Sequence, residues 1–200
     1  MTSRREFIYS VSAMAATSFI EPAANPTLKS YGIAYTSFPI RMRQAREAAV
    51  SQGNQGPAIP AEKFIDLCQS FGGDGCQMDF SQLASTDTDY LKRVRAQLEA
   101  KGMYMEFAVR ARALESGDEI AKIAAAAHQL GVSRLGVACL SGRRYEDFHE
   151  MAKWKEFVAQ WQNTLEKAEP ALKKHKLLVG AENHKDWLAD EQAAMLKRIA

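Results

Sequence analysis

Hydrophobic positions recur along this chain with two periods that take turns. Over residues 103–110 the period is two. Met103, Met105, Phe107 and Val109 fall on one face, and Tyr104, Glu106, Ala108 and Arg110 on the other, as on a half-buried strand. Over residues 64–71 the period is helical, with Phe64, Ile65, Leu67, Cys68 and Phe71 on one side. This alternation predicts strands at 31–38, 75–80, 103–109, 134–140 and from Leu177 to Glu182. It predicts helices opened by Pro60, at about 88–100, at 117–130, at about 152–175 and from about Leu188 to the end. Gly72-Gly73, Gly102 and Gly131 are the expected helix stops, and a break is expected near Pro170. Residues 41–60 read as a long connection. It carries Arg41, Arg43 and Arg46 and the turn-forming run Gly53-Asn54-Gln55-Gly56-Pro57. Such a connection is either a lid or binding loop, or a solvated surface loop.

Five strand-then-helix units in succession make an α/β protein with a parallel sheet. A doubly wound sheet and a (β/α)8 barrel compete, and the first strand–turn–helix lacks GxGxxG, which weakens the dinucleotide-binding form. Five-eighths of a barrel of about 250 residues is about 156 residues, and residues 32–200 number 169. The expected fold class is therefore a (β/α)8 TIM barrel of which about five βα units are present. The pattern Met195-Leu196-Lys197-Arg198-Ile199-Ala200 stops within a helix, so the chain is read as a fragment or truncated product. Open edges on the first and last strands predict self-association, with a homo-oligomer as one form.

Composition changes this picture at two places. Ser3-Arg4-Arg5-Glu6 precedes an uncharged, Ala- and Ser-rich stretch from Phe7 to Ile20. That order reads as a twin-arginine export signal and is too short for a membrane span; an ordinary amphipathic first helix is the competing reading. The expected division is a signal peptide and linker over 1–28 and a barrel over 29–200. The expected location is periplasmic or exported, without stable membrane insertion after cleavage. The net charge of +2 argues against a nucleic-acid partner, which calls for a basic stripe. Cys68, Cys76 and Cys139 lack CxxC spacing and are read as buried free thiols, a Cys68–Cys76 bridge being the alternative.

The candidate chemistry lies where Leu177-Leu178-Val179-Gly180-Ala181 runs into Glu182-Asn183-His184. Polar groups at the end of a buried strand are costly unless they are used there. Alternation puts Glu182 and His184 on one face, half of an oxygen/nitrogen metal site. The competing reading is a buried acid satisfied by a neighbouring strand. In a barrel, active residues collect at the C-terminal strand ends. The lumen face then carries Gln77, Asp79, Glu106, Arg110, Glu182 and His184. Glu106 and Arg110 either bind substrate or pair with each other. His184 either ligates a metal or orients Glu182 or the substrate. Arg143 and Arg144, after strand four, either meet an anionic sugar or lie in a solvated loop. Trp154, Phe157 and Trp161 are core by their helical spacing.

Gly32-Ile33, Pro60-Ala61-Glu62-Lys63-Phe64-Ile65, Gly75-Cys76-Gln77-Met78-Asp79 and, above all, Glu182-Asn183-His184 resemble the xylose isomerase-like barrel superfamily, the sugar phosphate isomerase/epimerase group. The resemblance covers about residues 30–200. It implies a divalent metal (Mn, Mg, Co or Zn), a carbohydrate substrate, and Glu182 as both metal ligand and proton-transfer residue. It places the remaining ligands, an acid, a histidine and a second glutamate, beyond Ala200. The expected activity is a metal-dependent sugar or sugar phosphate isomerase or epimerase. The alternatives are an exported non-catalytic sugar-binding barrel and, with less support, an endonuclease IV-like phosphodiesterase, which needs histidines on strands two and three.

Overall fold

A computed structural model describes residues 31–53, 56–139, 143–183 and 186–198. The strands are β1 (Gly32–Ala34), β2 (Gly75–Asp79), β3 (Tyr104–Arg110), β4 (Arg134–Ala138) and β5 (Leu178–Glu182). The helices are α1 (Pro39–Ser51), α2 (Ala61–Ser70), α3 (Thr88–Lys101), α4 (Gly117–Leu130), the single turn α5 (Arg144–Asp147), α6 (Met151–Lys174) and α7 (Ala189–Leu196). All the strand pairs are parallel and the sheet order is β1-β2-β3-β4-β5. A sheet wound in one direction, strand by strand, is the order of a barrel wall; a doubly wound sheet reverses direction at a switch point. The long helices pack side by side in chain order, α2 on α3, α3 on α4 and α4 on α6. They therefore cover one face of the sheet, and the other face is concave and uncovered among the described residues.

The covered face is the core. Cys76, Met78, Phe107 and Val137 are fully buried, and Met105, Val109 and Leu135 nearly so. Phe64, Ile65, Leu91, Val94, Ile123 and Ala127 come down on them from the helices. Trp154 and Trp161 are buried and Phe157 half-buried, as their spacing predicts. The expected stops hold for a conformational reason. Gly72, Gly102 and Gly131 have φ of 76°, 62° and 71°, the left-handed turn that only glycine enters without strain.

Four expectations change. The first strand is only Gly32–Ala34, because a 3-10 turn, Tyr35–Ser37, follows at once. The expected connection at 41–60 is largely helix α1. None of its residues is fully buried; its inner side is only the half-buried Met42, Ala45 and Ala49, too weak a stripe to stand out in sequence. The fourth helix runs unbroken through Pro170. Pro170 is exposed, so water can take the carbonyl that its missing N–H leaves free. Within the expected loop after the fourth strand, Arg144–Asp147 forms the helical turn α5. The three cysteines are buried and free. Among the described residues no helix is long and apolar enough to cross a membrane. The export signal expected at residues 1–28 lies outside the described residues.

Candidate active site

Strand register stacks the concave face into rows. Gln77 lies opposite Glu106. Asp79 lies opposite Ala108, Ala108 opposite Gly136, and Gly136 opposite Gly180. At the C-terminal edge, Arg110 lies opposite Ala138 and Ala138 opposite Glu182. The inward direction expected for Gln77, Asp79, Glu106, Arg110 and Glu182 is thus the observed one. His184 is outside the described residues.

The two ends of this face differ. At the N-terminal end it is filled. The Tyr104 ring lies across Gly32 and Gly75, where an added Cβ would come within 2.7 and 2.5 Å of it. Burial, with the Glu106 charge adding, raises the pKa of the Tyr104 phenol. Glu106 pairs with Arg134 of β4 at 3.5 Å. Its expected pairing with Arg110 is not formed, for a simple reason: residues four apart on a strand are separated by about 13 Å. Glu106 therefore belongs to the filled end, beside a small cavity of about 210 Å³ that it lines with Gln77 and Tyr104, two rows below that of Arg110.

At the C-terminal end the floor is small. Ala108, Gly136, Ala138 and Gly180 carry at most a methyl group, and the Gln77 amide reaches over Gly136, its Nε2 3.0 Å from where a Cβ would stand. Arg110 and Glu182 flank this floor, both exposed. Strands spaced about 4.8 Å apart put their Cα atoms about 10 Å apart. The β2 side of the same end is internally satisfied. Asp79 Oδ1 accepts from the Ser81 N–H at 2.8 Å and the Ser81 hydroxyl at 2.6 Å, and the Tyr35 hydroxyl donates to Gln82 at 3.2 Å. Asp79 is thus an N-cap.

Glu182 stands on a braced platform that no sequence spacing announces. The Gln192 amide donates to the Ala181 carbonyl at 2.8 Å, holding α7 to the end of β5. Asn183 donates to the Trp187 carbonyl at 2.9 Å and accepts from its N–H at 3.4 Å, an Asx-type closure. Trp187 is buried against Trp154, with ring centroids 5.1 Å apart. The Arg144 guanidinium lies 4.2 Å over the Trp154 ring and makes two bonds to Glu191, at 2.6 and 3.1 Å. Arg144 is therefore neither sugar-facing nor solvated: it is 5% exposed and ties α5 to α7. Arg143 is the exposed member, paired with Glu146 at 3.0 Å. Beside Trp187, burial pushes the Cys139 thiol up to about 12, and the Asp186 charge adds to the shift. Cys139 is accordingly a packing group rather than a nucleophile at neutral pH.

The described donors do not by themselves make a metal centre. Among the described residues no three of His, Cys, Asp and Glu gather round one point. Glu182 is one donor, and the residue across its row is a cation. A groove of about 500 Å³ lined by Arg41, Ile59, Pro60 and Lys63 runs between α1 and α2.

The fold is α/β, with the arrangement of a (β/α)8 barrel of which five βα units are described. The chain is similar in structure to D-psicose 3-epimerase solved in the presence of D-fructose, with a TM-score of 0.56 at 12% identity over 86% of this chain and 60% of that one. It is likewise similar to D-psicose 3-epimerase from Clostridium cellulolyticum H10 solved with D-tagatose, with a TM-score of 0.60 at 13% identity over 85% of this chain and 60% of that one. This chain thus spans about 60% of the length of either. No family model and no curated protein matches it.

Proposed function

We propose that this chain forms part of a sugar or sugar phosphate isomerase or epimerase in which Glu182 moves a proton at a carbon next to a carbonyl. The observation that carries the reading is the placement of Glu182. It is the last residue of β5, turned to the concave face and exposed, and it faces Arg110 across a floor of alanine and glycine. The gap of about 10 Å suits a small polyol lying across Ala138. In this reading the carboxylate of Glu182 takes the proton from carbon. The Arg110 guanidinium meets the oxygen on which negative charge develops. The Gln77 amide offers a hydrogen bond to a hydroxyl group from below. The structural likeness to two ketohexose-bound epimerases supports the substrate class.

The resemblance also implies a divalent metal. Glu182 would be one of its ligands, and polarising the carbonyl is what such an ion supplies. One carboxylate does not hold a divalent ion tightly, so the described residues do not fit the group unaided, and no step above passes through it.

The test is deuterium exchange. Incubated with a ketohexose in D2O, the protein should wash deuterium into the carbon next to the carbonyl, followed by NMR. Glu182→Gln should slow this about 10²- to 10⁴-fold and leave the circular dichroism spectrum unchanged. Undiminished exchange by Glu182→Gln would sink the assignment. A wild type that binds the sugar without exchanging its proton would favour the sugar-binding, non-catalytic reading.

A further inference from the structure

We propose that Cys68 and Cys76 are a redox pair that closes into a disulfide between the last turn of α2 and the start of β2. Both are fully buried, and both border Ile33 of β1. The Cys68 thiol donates to the Ile33 carbonyl, with sulfur and oxygen 3.9 Å apart, and Ile33 is the residue opposite Cys76 in the β1–β2 ladder. The chain between them turns back through Gly72 at φ 76° and the buried Gly73.

The two thiols shift each other's acidity in opposite directions, which sets their roles. The neighbouring Cys76 thiol holds the Cys68 pKa below the ordinary thiol value, while Cys68 and burial raise that of Cys76. Cys68 is then the nucleophile and Cys76 the thiol that resolves it. Access comes from fraying. The Cys68 carbonyl accepts the Phe71 and Gly73 N–H groups at 3.2 and 3.0 Å that close the end of α2, and helix ends open at low cost. With a peroxide as oxidant, the Cys68 sulfur attacks the O–O bond, giving a sulfenic acid and one water. The Cys76 sulfur then displaces the hydroxyl group, which leaves as a second water with the Cys76 proton. Two thiols lose two electrons and two protons, and the peroxide is reduced to two waters. Cys139, with its thiol pushed up to about 12 by burial, is the built-in control.

The test is hydrogen peroxide treatment followed by unfolding, alkylation and tryptic mapping. Cys68 and Cys76 share the tryptic peptide 64–92. That peptide should lose about 2 Da and become unreactive to alkylation, while Cys139 still alkylates. Closing so short a loop should raise the Tm by about 5 °C, reversibly with dithiothreitol. Cys76→Ser should instead carry Cys68 on to the sulfinic acid, about 32 Da heavier. Three alkylating thiols after treatment, or a bridge to Cys139 or to a second chain, would overturn the proposal. The wild-type map decides these outcomes even where a variant does not fold.

Discussion

The two faces of the sheet are built from alternate residues of the same strands, yet they obey different rules. On β3, Met105, Phe107 and Val109 are buried under helices, while Tyr104, Glu106 and Ala108 are only half-buried and Arg110 is exposed. The covered face is continuous and apolar, and its energy comes from area removed from water. The concave face grades from a filled N-terminal end, where Tyr104 and the Glu106–Arg134 pair close it, to an open C-terminal end of small residues rimmed by Arg110 and Glu182. One face holds the fold. The other carries Arg110 and Glu182 with no ion pair among the described residues, at the strand ends, which is where a parallel α/β barrel does its chemistry.

The contrast can be broken hardest at Phe107. It is fully buried and meets Phe80 edge-on, with centroids 5.3 Å apart. Phe107→Ala should cost about 3–5 kcal/mol, enough to unfold a protein of ordinary stability; urea denaturation measures it. A loss under about 1 kcal/mol would mean that the covered face is not the core.

Arg144→Ala should cost somewhat less, about 3 kcal/mol, because it leaves the partly buried Glu191 without its cation and uncovers Trp154. Limited proteolysis should then cut first near α7, the element that Arg144 holds. Arg144→Met would keep the contact with Trp154 and isolate the charge. A loss shared evenly between the packing and the ion pair is the expected result.

Glu182→Gln should change stability least, within about 0.5 kcal/mol, since no described residue bonds to the Glu182 carboxylate. A large destabilisation would show that Glu182 is structural after all. That variant thus separates the faces in the opposite sense to Phe107→Ala: stability is kept and chemistry lost.

The failures of sequence reading are informative one by one. Helix α1 is hard to read because its inward stripe, Met42, Ala45 and Ala49, is short, small and only half-buried. Glu106 and Arg110 share a face by alternation, but four residues along one strand set them about 13 Å apart, and alternation does not say which residue of a neighbouring strand lies beside either. The actual partner of Glu106, Arg134, lies on the next strand. Arg144 and Glu191 are 47 positions apart, and neither residue type nor spacing links them. The small floor left a faint trace in the alternate Ala108, Gly136, Ala138 and Gly180, residues easily passed over because they carry no chemistry of their own.

The sequence by itself determined the number and order of the strands, which face of each was apolar, where the glycine stops fell, and that Glu182 ended a strand pointing inward. Those properties are local, written in periods of 2 and 3.6 residues and in the φ that glycine alone adopts freely. Only the tertiary structure decided that register sets Glu182 opposite Ala138, with Arg110 on the far side of it, that Asp79 is spent on a cap, and that Arg144 braces the platform behind Glu182. These depend on which strands lie side by side and at what stagger. That choice is made by packing the helices over a shared core, and no single segment contains it.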